Sequence, residues 1–361
     1  MEGSNNQLDR SISLTGAVFT LIGYVVGASI FILVGPLAGD AGPALWLAYI
    51  LAAVPAFFVC FTSAQMASVL PVTGANYVAA SRTLSPFWGF LMAWTVMVTT
   101  GVGMALLAYG FAEYLGHLVG GVNIMLTAVA VVLFFGTLNY IGVRLSVAVQ
   151  VIMVVEFILA LLVFGIAGLF SMDTAMMVPL MPNGFGAVVV VAITGYFSYS
   201  GFAIIADMGG EIKNPSRNIP IALAVALFMV FLMYTLVTVS LVGNMDWRAL
   251  GTMQAAVART AELFLPGWLA AVISFSALFA AATSIHAVIM SSARQVFALA
   301  RDRIWPETFG KVNRFKTPGN SVILITAISV AGILIGTTVQ NYAVVTVIGF
   351  MIMQILVGLS V

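Results

Sequence analysis

The sequence predicts an all-α integral membrane protein with a 5+5 inverted-repeat core, its first and sixth membrane segments discontinuous. Three observations lead there. Hydrophobic residues make up 62% of the 361 residues and charged residues only 7%, against about 25% charged in a soluble domain. Apolar stretches of membrane-spanning length recur between turn residues. Two of these stretches, at corresponding places in the two halves, are interrupted by glycine and serine. The same composition narrows the partners. Mean hydropathy is +1.14, and a net charge of +1 without a basic block gives no footing for nucleic acid. The lone Cys60 sits in an apolar run and cannot form an internal disulfide. The polar stretch 1–10 lacks the layout of a cleavable signal peptide, so insertion through the first segment is expected.

Ten segments follow in order: 13–37, 43–69, 86–117, 122–140, 146–170, 185–208, 219–243, 267–299, 321–337 and 342–361. Turn chemistry separates them. Gly39-Asp40-Ala41-Gly42-Pro43 closes the first and Pro71-Val72-Thr73-Gly74 the second. The third, unusually long, stops at Gly120-Gly121. The Pro179 to Gly184 stretch precedes the sixth, Asn214-Pro215 the seventh and Pro318-Gly319-Asn320 the ninth. The tenth runs to the final residue. Lysine and arginine fix an orientation: with the N-terminus inside, eleven lie on the inner side and only Arg248 and Arg259 outside.

The first segment contains Gly23-Tyr24-Val25-Val26-Gly27-Ala28-Ser29-Ile30-Phe31, where a spanning helix is usually most regular. Small residues there permit either close helix packing or a break that binds something, since unpaired backbone at that depth must line a cavity or hold a ligand. A matching stretch, Gly195-Tyr196-Phe197-Ser198-Tyr199-Ser200-Gly201-Phe202, opens at the same offset in the sixth segment. Five segments per half, an odd number, require the second half (185–361) to be inverted relative to the first (1–171). Paired interruptions in inverted halves point to a central transport site.

These residues resemble a known family. Gly27-Ala28-Ser29-Ile30-Phe31 and Pro71-Val72-Thr73-Gly74-Ala75-Asn76-Tyr77 are similar to the first and the second-to-third segments of the amino acid–polyamine–organocation permeases. Ser198 to Phe202, then Gly210-Glu211-Ile212-Lys213-Asn214-Pro215, are similar to their sixth segment and its following loop, and Ala300 to Pro306 to the loop after the eighth. The resemblance implies the leucine-transporter fold, commonly with two segments beyond the ten seen here.

A zwitterion suits two broken helices: free N–H groups at a helix start seat a carboxylate, and free carbonyls at a helix end seat an ammonium. An amino acid is therefore the expected cargo. The resemblance implies that the N–H groups of Ala28, Ser29 and Ile30 hold the carboxylate, and the carbonyls of Val25, Phe197 and Ser200 the amine, with Phe197 as an aromatic gate. Ser29 replaces the family's usual glycine. Ala203 replaces a glutamate found in many relatives, which favours a neutral substrate.

Two coupling ions fit, and the residues leave both open. Glu156 lies about 15 Å into the fifth segment, where an ionisable group is a functional candidate by default; several relatives place a lysine there that substitutes for sodium. With His286, a residue type whose intrinsic pKa is near physiological pH, it suits a proton. Alternatively, Ala280, Thr283 and Ser284 share a helical face and resemble the sodium ligands of sodium-coupled relatives, completed by Gly23 and Val26. Hydrogen bonding within or between helices is the plain role for all of these side chains. No prosthetic group is expected. The alternatives are an exchanger without ion coupling and a non-transporting sensor; a channel lacks its polar lining and a hydrolase its nucleophile–base set.

Overall fold

The computed structural model describes residues 12–69, 75–142, 147–207, 212–315 and 317–360. The Pro71 to Gly74 turn, Glu211, and the inner-side Arg10, Arg144 and Lys316 lie outside these, as do Met208 and Val361, the ends of two expected segments. Side chains at 203 and 204 are likewise not described.

Among the described residues the chain is helical, with one isolated parallel bridge, Ile12 to Ile212. The first expected segment is resolved into α1 (Leu14–Val26), α2 (Ser29–Ile32) and α3 (Val34–Ala41). The second is α4 (Leu45–Val69), followed by α5 (Ala75–Ala79) and a π-turn (Ala80–Leu84). Then come α6 (Pro86–Val119), α7 (Ile124–Tyr140) and α8 (Val147–Ser171). The sixth segment is α9 (Gly184–Gly195) continued by a 3₁₀ stretch, Tyr196–Asp207. The seventh is α10 (Pro215–Asn244), and two short helices follow it, α11 (Trp247–Leu250) and α12 (Ala256–Ala261). The chain ends in α13 (Gly267–Arg301), α14 (Gly319–Ile335) and α15 (Val339–Ser360). Eight stretches are long and apolar enough to cross a membrane, and α7 and α14 are shorter apolar helices of 17 residues each. The protein is a multi-pass membrane protein.

Local chemistry sets these ends. Ser13 caps α1 by accepting from the Gly16 N–H at 3.2 Å, and Asn123 caps α7 by accepting from the Leu126 N–H at 3.1 Å. Proline opens α6 and α10, where its missing N–H would be unpaired anyway. Gly336, left-handed at φ +67°, closes α14.

Two groups of helices result. In one, α4 packs on α10, α9 and the 196–207 stretch, and α1 joins it through α10 and the same stretch. In the other, α6 packs on α7, α13 and α14, with α14 also against α7 and α13. The remaining two long helices connect the groups: α8 lies against both α10 and α13, and α15 against both α6 and the 196–207 stretch. The outer edges of the helices carry exposed Phe57, Phe61, Leu133, Phe134, Phe228 and Ile355, the apolar surface that a bilayer requires.

Candidate substrate cavity

Helical geometry in the first segment persists through Val26 and fails at Gly27, whose φ of +33° and ψ of −147° only glycine adopts readily. Ala28 then precedes α2 in near-helical geometry. Glycine is required here for a second reason: a Cβ at residue 27 would stand 2.5 Å from Ser284 Oγ of α13. In the sixth segment, α9 gives way at Tyr196 to 3₁₀ geometry, whose looser bonding suits a site rather than a core.

The two irregular stretches touch. A Cβ on Gly201 would lie 3.0 Å from the Tyr24 carbonyl oxygen and 3.1 Å from Val25 Cα, so the absence of a side chain lets backbone meet backbone. Tyr234 of α10, fully buried, joins them from the side. Its hydroxyl lies 3.0 Å from the Val25 carbonyl and 3.0 Å from the Ser198 carbonyl. One proton thus serves two acceptors. The rings of Tyr49 and Tyr199 pack edge-on against Tyr234, with centroids 5.7 and 5.0 Å away.

Between these stretches and α6, α13 and α15 lies a cavity of about 70 Å³. Its near wall is Val25, Gly27, Ala28 and Ser29 from the first break and Phe197, Ser200 and Gly201 from the second. Its far wall includes Thr100, Met104 and Leu107 of α6, Val288 of α13 and Phe350 of α15. The Ser29 hydroxyl donates to the Val26 carbonyl at 3.2 Å, so it turns back on its own chain instead of crowding the space. The Ser200 hydroxyl donates to the Phe197 carbonyl at 2.7 Å. Each carbonyl keeps a second lone pair for a ligand.

Of the expected substrate residues, Val25, Ala28, Ser29, Phe197 and Ser200 thus converge on one cavity, while Ile30 is buried outside the lining. The Ala203 side chain lies outside the described residues. The expected coupling residues disperse. Ser284 lines the cavity and is 7% exposed, and its Oγ finds no hydrogen-bond partner among the described residues. Thr283 bonds back to Phe279 and Ala280 carbonyls at 2.9 and 3.0 Å. Ala280 and Val26 are buried nearby in the core. Gly23 faces Val154 of α8, whose Cγ2 would be 2.7 Å from a Cβ there.

Glu156 does not line the cavity. Two residues beyond Val154, it turns to α13, where Ser276 Oγ lies 2.6 Å from its Oε1; its Oε2 is buried without a partner among the described residues. His286, two residues past Ser284, faces α7 instead, its Nδ1 3.0 Å from the Asn139 amide nitrogen. Residues that sequence reasoning missed are Gly103, Thr346 and the apolar far wall, which single residues in apolar helices do not announce. Tyr234 did leave a signal, since a tyrosine inside an apolar run needs a partner for its hydroxyl.

At the end of the bundle that the lysine and arginine pattern assigns to the inner side, the Tyr77 hydroxyl donates to Asp302 Oδ2 at 3.0 Å. Burial and that carboxylate push the Tyr77 hydroxyl up to about 12, so it stays a donor throughout the physiological range. The Lys213 N–H donates to the Ile12 carbonyl at 2.9 Å, tying the start of the chain to the loop after the second break.

A multi-pass bundle with a central cavity walled by two irregular helices is the arrangement of a membrane protein that handles small molecules. The chain belongs to the amino acid permease family, whose pattern matches residues 16–360. It is 28% identical to the methylthioribose transporter of Bacillus subtilis, over 99% of this chain and 82% of that protein. An uncharacterized transporter of Mycobacterium tuberculosis is 30% identical, over 90% and 74%. The branched-chain amino acid permease of Bacillus subtilis is 25% identical, over 86% and 71%.

Proposed function

We propose that this chain is a secondary transporter moving a neutral amino acid across the cytoplasmic membrane by alternating access. Its core is two inverted five-helix repeats, with helices 1 and 6 of the core discontinuous at Gly27–Ala28 and from Tyr196. The observation that carries the reading is the contact of Gly201 with Tyr24 and Val25, which brings both irregular stretches to one cavity. The first N–H groups of a helix have no intrahelical partner, so those of Ala28 and Ser29, which line the cavity, suit the carboxylate. The carbonyls of Val25, Phe197 and Ser200 suit the ammonium. The charge on the substrate is met by backbone, and no charged side chain is needed. The family and the permease named for branched-chain amino acids support this class of cargo. The lysine and arginine distribution supports an N-terminus on the cytoplasmic side.

Cation coupling is the favoured mode. The Ser284 Oγ beside Gly27, without a partner among the described residues, suits a sodium ligand, completed by Thr283 and by backbone at Gly23, Val26 and Ala280. The half-buried Glu156 is the proton alternative, acting from the α8–α13 seam. One observation favours a second reading, exchange without an ion: Val154 packs an apolar side chain on Gly23, where a cation would need oxygen.

The test is uptake of labelled amino acids into proteoliposomes under imposed sodium or proton gradients. Neutral amino acids are expected to accumulate with one gradient. Folded protein that neither accumulates nor exchanges any amino acid would refute the transporter reading and leave the sensor. Glu156→Gln separates the ions: under proton coupling, accumulation falls to the exchange level while exchange persists, and unchanged accumulation removes Glu156 from the mechanism.

A further inference from the structure

The cavity has two chemically different halves. Toward the breaks its wall is largely backbone and small hydroxyls; on the far side it is mostly apolar apart from Thr100 and Thr346, and among the described residues no charged one lines it. An ionised side chain entering that half would lose its hydration and find no counter-charge. On the far half α6 packs against α15. There a Cβ on Gly103 would stand 2.7 Å from Thr346 Oγ1 and 2.9 Å from its Cγ2, so only glycine leaves Thr346 in place. The Thr346 hydroxyl lies 2.8 Å from the Tyr342 carbonyl, to which it donates, and both Gly103 and Thr346 line the cavity. With its proton committed, Thr346 presents lone pairs and a methyl to an incoming group, but no donor.

We propose that Gly103 and Thr346 act as a pair that determines specificity, limiting the substrate to a short, uncharged side chain lodged against the wall that α6 and α15 form together. This inference rests on the amino acid reading above and names the part of the substrate that the far half receives. The magnitude is favourable. A Cβ on Gly103 meets Thr346 itself, so a methyl there acts on the cavity by displacing Thr346, and a displacement worth one water-sized sphere, about 10–15 Å³, is on the order of one sixth of the space. A hydrophobic pocket distinguishes ligands that differ by one methylene by about 10- to 200-fold.

The two residues permit changes of opposite sign. Gly103→Ala adds a methyl to the wall, whereas Thr346→Ser removes one and keeps the hydroxyl. Equilibrium binding of labelled alanine, leucine and lysine to the purified full chain reads the outcome. Wild type is expected to bind a neutral ligand and to ignore lysine. The ratio of leucine to alanine affinity is expected to fall about tenfold in Gly103→Ala and to rise several-fold in Thr346→Ser. Equal losses for both ligands in Gly103→Ala, or an unmoved ratio in Thr346→Ser, would overturn the pair's role. If Gly103→Ala yields no folded protein, Thr346→Ser decides alone, since losing one methyl leaves the helix seam intact. A wild type that binds neither neutral ligand instead sinks the amino acid reading itself, so the two failures are distinguishable.

Discussion

At the scale of single residues, one cavity-lining hydroxyl has a hydrogen bond that does not close among the described residues. Ser284 buries a hydroxyl without a partner among the described residues, and a group of that kind is normally destabilising. Ser284→Ala is therefore expected to leave the melting temperature in detergent unchanged or slightly raised, while cation-dependent uptake is lost. A lowered melting temperature with uptake intact would make Ser284 a packing residue only. Tyr234 is the opposite case, one proton shared by two buried carbonyls. Tyr234→Phe keeps the ring between Tyr49 and Tyr199 but strands both acceptors, at about 1–3 kcal/mol. Its melting temperature is expected to fall clearly below that of Tyr49→Phe, whose hydroxyl lies 3.5 Å from Ser198 Oγ, at the limit of a hydrogen bond.

At the scale of elements, the two irregular stretches meet backbone to backbone, and the proposed site needs that contact. Gly201→Ala places a methyl against backbone at Tyr24 and Val25, and backbone cannot rotate aside as a side chain can. Initial uptake rates are expected to drop by at least tenfold, with protein yield less affected; wild-type rates would show that the breaks need not touch. This is also the scale at which sequence and structure compare most directly. Long apolar runs gave α6 and α13 nearly to the residue, because both a spanning helix and its flanking turn chemistry are local properties. The sequence places the first irregular stretch across Gly23 to Phe31, yet Gly23 and Tyr24 are helical and within that stretch the irregularity is confined to Gly27 and Ala28. Glycine permits a break without imposing one, and the choice among several glycines is made by contacts distant in sequence, here Ser284. The same reasoning explains Glu156 and His286. Depth in a helix is legible from the sequence, but the face a side chain occupies depends on which helix packs there. The short α11 and α12 left no signal because they are too brief for a periodic pattern.

At the scale of the whole molecule, helix lengths differ about twofold. α6 and α13 have 34 and 35 residues, whereas α7 and α14 have 17 each and pack against one another. At 1.5 Å per residue the short pair is about 25 Å long, below the roughly 30 Å of a typical hydrocarbon core. Lipids beside α7 and α14 are expected to compress, because Leu133 and Phe134 on one and Ile323 and Leu334 on the other face outward. Mismatch of this kind carries a modest penalty for each ångström, borne on one flank only. Thinner bilayers relieve it. Reconstitution into phosphatidylcholines of increasing acyl length is therefore expected to give peak transport and thermal stability at chains shorter than eighteen carbons, declining as the chains lengthen. A flat profile would show that α7 and α14 tilt or lie too deep to be felt by lipid. The short pair thus makes the thickness of the surrounding membrane a physical variable of the transport cycle, acting through helices that pack on α6 and α13.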